Sequence, residues 1–170
     1  VFVRLLVEVA VVAPGAFAAV APPLVAMMAG MFALAAASRR HLSDDAAAAA
    51  AAPPPGLRTA MAFGLVYALV LLAVAFARTY LDARGLYAVA ALSGLTDMDA
   101  ITLSTMQLVR GGDLDPSTGW RLVLVGSLAN LAFKAGIVAM LGSRELFRRV
   151  AAYFAPAFAM GVAILVLWRG

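Results

Sequence analysis

The chain has 170 residues, of which 65% are hydrophobic and only 13% charged, with a mean hydropathy of +0.98. A soluble domain runs nearer to roughly 45–50% apolar and about 25% charged, so the composition excludes an ordinary water-soluble fold and points to a chain that crosses a membrane several times. The net charge of +4 comes from arginines set between apolar runs, and no solvated basic surface with interleaved aromatics is present to suggest nucleic-acid binding.

Cysteine is absent and His41 is the single histidine. Thiolate chemistry, disulfides, His-rich metal sites and Ser-His-Asp triads are thereby excluded within this chain. The first residue is Val1, and the opening apolar run over residues 1–12 makes only about 18 Å of helix against a hydrocarbon core of about 30 Å. We expect a truncated first helix, and a sequence that is the C-terminal fragment of a larger protein whose N-terminal part is one of its partners. Arg4 and Glu8 are four apart on that helix and share a face, which predicts a structural ion pair. Ala13-Pro14-Gly15 ends the run.

Residues 17–37 form the next apolar run, with Pro22 and Pro23 near its start, where a helix best tolerates proline. Residues 38–57 read as a flexible linker: Ser38-Arg39-Arg40-His41, then Asp44-Asp45, seven alanines from Ala46, and Pro53-Pro54-Pro55-Gly56. Residues 58–80 predict a membrane helix of plain composition whose Arg58 and Arg78 snorkel to the two interfaces.

Residues 85–109 are different. Asp97, Asp99, Ser93, Thr96, Thr102, Ser104 and Thr105 stand where a membrane helix would carry Leu and Val. An Asp near the bilayer centre costs about 2.5–3.5 kcal/mol on insertion scales, so these groups must face protein, water or an ion. On an unbroken helix Ser93, Asp97, Ile101 and Ser104 share one face, with Thr96, Asp99 and Thr102 on the next. The alternative is a helix broken near Gly94, with Thr96 or Asp97 capping a second half-helix and unpaired backbone groups lining a cavity, as in transporters with midplane sites.

A turn follows over 110–119, and Trp120 is expected at the membrane interface. Residues 121–141 predict a helix on which Asn130 and Lys134 share a face. Lys134 is the sole lysine and needs an anion. Asp97 or Asp99 is the expected partner, in a buried couple with Asn130 as its amide ligand. Arg144, Glu145, Arg148 and Arg149 predict an interfacial amphipathic stretch, and 151–168 a final apolar helix with Pro156 near its start. If every apolar segment crosses, the arginines divide almost evenly between the two sides, so they do not orient the chain.

The motif Ala91-Leu92-Ser93-Gly94-Leu95-Thr96-Asp97-Met98-Asp99-Ala100-Ile101-Thr102-Leu103-Ser104, with Gly85-Leu86-Tyr87 before it and Ser127-Leu128-Ala129-Asn130-Leu131-Ala132-Phe133-Lys134-Ala135-Gly136 after it, resembles a bacterial membrane family, the domain of unknown function 4010. The resemblance covers most of the chain. It implies an inner-membrane location, a common fusion C-terminal to an MgtC/SapB-like domain, and an internal repeat of which this chain is about half. Magnesium enters only through that domain company.

The sequence therefore predicts one all-α polytopic transmembrane bundle of about five helices over residues 1–170, one truncated and one either continuous or broken. The expected function is a non-enzymatic membrane protein, in one reading a transporter for a Mg²⁺-like cation or a proton-coupled one, in the other a regulator or assembly partner. The candidate ion-binding set is Asp97, Asp99, Thr96, Ser93, Thr102, Ser104, Asn130 and Lys134; any metal would sit on Asp97 and Asp99. The lipid bilayer and a second copy of the chain are the further expected partners.

Overall fold

The structure, a computed structural model, describes residues 1–38, 56–58, 61–62, 64–65, 68–69, 72 and 86–168. It is an all-α bundle. Six helices are defined among those residues: α1 (Phe2–Val12), α2 (Phe17–Ser38), α3 (Leu86–Thr96), α4 (Met98–Gly111), α5 (Pro116–Leu141) and α6 (Arg144–Leu167). Most of the expected linker over 38–57 and of the expected helix over 58–80 lies outside the described residues.

Three stretches are long and apolar enough to cross a membrane: Pro14–Ala37, Pro116–Leu141 and Arg144–Leu167. Each keeps large apolar side chains on its outer surface, such as Phe32 on α2, Met140 on α5 and Val166 on α6. In water that surface would be costly, whereas in lipid it costs nothing. The chain is that of a membrane protein.

The first helix buries Phe2, Leu5 and Val9, one stripe at helical spacing. It stops at Ala13, and a single 3-10 turn over Pro14–Ala16 leads into α2. Pro22 and Pro23 lie in the second turn of α2, near its start as expected. They deprive the carbonyls of Ala18 and Ala19 of their helical donors, yet the helix runs on.

The turn between α4 and α5 is tighter than the expected 110–119 loop. Gly112 adopts the left-handed conformation at φ 83, which an L side chain resists. Its N–H donates to the Val109 carbonyl at 3.2 Å and that of Asp113 to Leu108 at 3.0 Å, the paired closure of a Schellman motif. Asp115 then caps α5, accepting from the Ser117 N–H at 2.7 Å, with Pro116 at the first helical position. Trp120, expected at the interface, is 1% exposed. It packs with Met106, Val109 and Leu122 in the first turns of α5, so at the helix end its ring faces protein and not lipid.

The stretch Arg144–Arg149 is not separate from the final helix. Ser143 caps α6, its hydroxyl accepting from the Leu146 N–H at 3.1 Å, and the helix runs unbroken through Pro156 to Leu167. It lies antiparallel to α5, since Arg121 near the start of α5 donates to the Trp168 carbonyl at 3.3 Å.

Candidate functional site: a broken helix at mid-depth

The polar segment is broken. Helix α3 ends at Thr96, and Asp97 takes an extended conformation (φ −142, ψ 110) as the N-cap of α4. Its Oδ1 accepts from the N–H of Asp99 at 2.9 Å and of Ala100 at 3.2 Å. Asp97 is the residue type that favours this role, because a short carboxylate both satisfies amides left bare at a helix start and meets the positive end of its dipole.

Breaking a helix strands carbonyls as well as amides. The Ser93 carbonyl still accepts from the Asp97 N–H at 3.0 Å. The next two, Gly94 and Leu95, receive the Asn130 side-chain amide from α5 at 2.9 and 3.3 Å. Asn130 thus closes the end of α3 much as Asp97 opens α4.

The two half-helices do not continue in line. The Ala90 carbonyl oxygen on α3 and the Ile101 Cγ2 on α4 each lie 3.3 Å from where a Cβ on Gly126 would stand. Eleven residues of straight helix would separate their Cα atoms by about 16 Å. The chain therefore turns back at Asp97, with α3 running beside α5 in its direction and α4 against it. The reading of residues 85–109 as one crossing is corrected accordingly, as is the shared face of Ser93, Asp97, Ile101 and Ser104. The fold-back requires glycine at the crossing, where a Cβ on Gly94 would collide with the Gly126 backbone.

Asn130 lies near the middle of α5, roughly 15–20 Å from each end. The break therefore sits at mid-depth of a membrane-length helix. A cleft of about 390 Å³ opens there, and its lining includes Arg4, Thr96, Asp97, Asn130 and Lys134. A neighbouring, largely apolar cavity of about 370 Å³ is walled by Met27, Met28, Met31, Phe32 and Phe154. Val1, Met98, Asn130 and Lys134 border both.

Of the predicted residues, Asp97, Thr96, Asn130 and Lys134 line the polar cleft, and Asp99, Ser93, Thr102 and Ser104 do not. Ser93 and Thr102 are buried; Thr102 donates to the Met98 carbonyl at 2.7 Å and Ser104 to that of Ala100 at 2.7 Å. Such back-bonding satisfies hydroxyls inside their own helix. The expected Asp–Lys couple is not formed. Lys134 is exposed toward the cleft, and among the described residues no carboxylate lies within ion-pairing distance of it. The helix that reaches Asp99 is α1, whose Arg4 Nη2 stands 2.7 Å from Asp99 Oδ1. The predicted Arg4–Glu8 pair is present only at 4.0 Å. Sequence reasoning placed Arg4 and Glu8 in a pair of their own, because nothing in a linear sequence says that α1 packs on α4. The signal was two charges in a short apolar helix. Among the described residues, no three His, Asp or Glu side chains converge in a way that would hold a metal ion.

A family model described as "Domain of unknown function (DUF4010)" matches residues 1–142. An uncharacterized protein of Aquifex aeolicus (strain VF5) is 31% identical over 90 residues, which is 53% of this chain and 39% of that protein. The match thus spans about two fifths of the relative's length. No solved structure matches.

Proposed function

We propose, from the premise that the chain belongs to the DUF4010 family, that it is part of a proton-coupled membrane transporter whose solute passes through the cleft at Asp97. The observation that carries this reading is the position of the helix break at mid-depth, beside a cleft lined by one carboxylate, one ammonium, one guanidinium, a hydroxyl and an amide. A continuous helix would be cheaper in lipid, and discontinuous helices at this depth are how many transporters expose backbone dipoles to a small charged solute. Asp97 and Lys134 face one cleft without being paired, so a proton or cation arriving at Asp97 competes with the Lys134 ammonium for the same charge. The reading is non-enzymatic, and it takes the bacterial inner membrane as the site of action.

A second reading has an observation of its own. Asp97 and Asn130 both spend hydrogen bonds on the backbone of the break, as they would in a regulator or assembly partner where the polar groups only lock helices together. Flux in proteoliposomes containing the full-length protein separates the two. Proton-gradient dissipation, Na⁺ and Mg²⁺ are measured in turn for wild type, Asp97→Asn and Lys134→Met. Transport predicts flux in wild type that both substitutions abolish while the protein stays folded. Absence of flux for every ion, with the substitutions changing only stability, leaves the locking role.

A further inference from the structure

Arg4 and Glu8 on α1 and Asp99 on α4 form a three-charge group beside the cleft that the reading above leaves unused. The Glu8 side chain is 15% exposed and that of Asp99 31%. Both carboxyls lie against one guanidinium, Arg4 standing 2.7 Å from Asp99 Oδ1 and 4.0 Å from Glu8 Oε1. Glu8 Oε2 and Asp99 Oδ1 are both buried without a hydrogen-bond partner. The Arg4 guanidinium approaches Asp99 Oδ1 at 2.7 Å but makes no aligned hydrogen bond to it, so it meets the charge and leaves the lone pairs unsatisfied.

Two carboxylates served by one guanidinium carry a net negative charge if both are ionised, and inside a membrane bundle neither like charges close together nor an uncompensated charge is cheap. One proton removes both problems: it neutralises one carboxyl and leaves a single anion for Arg4. The surrounding charges are few. Asp97 stands nearby at the start of α4, and α2, which packs on α1, carries no titratable side chain over Phe17–Ser38. Lys134 reaches the adjoining cleft, which Arg4 also lines.

We propose that Glu8 and Asp99 together bind one proton, and that a second proton arriving there releases Arg4 toward the cleft and Asp97. The step balances as protonation of the remaining carboxylate, with the guanidinium keeping its charge and exchanging one carboxylate partner for another. This deepens the proton-coupled reading by naming its proton site, but the site is testable without transport.

The test is infrared spectroscopy of the full chain in lipid vesicles, following the protonated-carboxyl C=O stretch against pH and on exchange into D₂O. Glutamate occurs only as Glu8 and Glu145, and Glu145 is an exposed surface residue, so carboxyl-¹³C glutamate marks Glu8 cleanly. Wild type at neutral pH is expected to show one protonated carboxyl whose band shifts with labelled glutamate or labelled aspartate. The band is expected to disappear in Glu8→Gln and to persist in Asp97→Asn. A wild type with no protonated carboxyl at neutral pH, or a band that moves with neither label, overturns the proposal, and the isotope arms hold even if Glu8→Gln fails to fold. A band present without any flux defeats the transport reading alone; flux without the band defeats this site alone.

Discussion

At the scale of single residues, the break depends on Asn130 more than on either aspartate. Asn130 brings an amide donor to two carbonyls that no helix amide can reach. Asn130→Leu keeps the bulk and removes the donor, which leaves both carbonyls of the α3 terminus unpaired. Unpaired buried acceptors cost about 1–3 kcal/mol, and unfolding of the variant in mixed micelles is expected to show a loss of that size. Wild-type stability in Asn130→Leu would mean that water closes the end of α3 equally well. Asp97→Ala removes a cap whose loss costs about 0.5–2 kcal/mol in ordinary helices, and its measured effect separates the cap from the flux assigned to the same carboxylate.

At the scale of elements, the crossing of α3 over α5 rests on the absence of two side chains. Gly94→Ala would drive a methyl into the Gly126 backbone, and backbone cannot rotate away as a side chain can. Overpacking of this kind costs about 1–3 kcal/mol or more. The control is Gly136→Ala on the same α5 helix, where nothing lies within 4 Å of an added Cβ, and the change is expected to be neutral or to stabilise by about 0.5–1 kcal/mol. Equal losses for the two variants would remove the crossing from the account. The start of α5 adds a pH dependence. The Ser117 hydroxyl and N–H hold the Asp115 carboxyl below its ordinary range. A depressed carboxylate contributes stability above its unfolded pKa and loses it as pH falls through the lower, folded value. Protection of the Ser117 and Thr118 amides, taken relative to their intrinsic exchange, is therefore expected to fall as pH drops below the usual aspartate range, and to lose that response in Asp115→Asn. The existence of these elements was legible in the sequence: the Ala13-Pro14-Gly15 stop, the α4–α5 turn and a polar interruption between Ser93 and Ser104 all follow from local chemistry. Their partners were not. Whether Asp99 pairs with Lys134 or Arg4 is decided by which helix lies next to α4, and a fold-back and a straight helix share one hydrophobic pattern. Pro156 misled in the same way, because a lone proline marks a helix start as readily as a tolerated interior defect.

At the scale of the whole molecule, the fold-back sets which ends of the helices share a membrane face. With α3 alongside α5 and α4 returning against it, Tyr87 and the 112–115 turn fall on one side and the start of α6 on the other. The absence of native cysteine makes this direct to check. A membrane-impermeant maleimide is expected to reach Tyr87→Cys and Asp113→Cys from the same face and Arg144→Cys from the opposite one. Labelling of Tyr87→Cys together with Arg144→Cys would show that residues 85–109 run straight through. The same arrangement has a mechanical side. The wall between the polar cleft and the apolar cavity is formed in part by Met98, the first residue of α4 and a border of both. Methionine fits irregular gaps through three rotatable side-chain bonds, so the border the two spaces share is set at Met98 by an adaptable side chain and not by backbone alone.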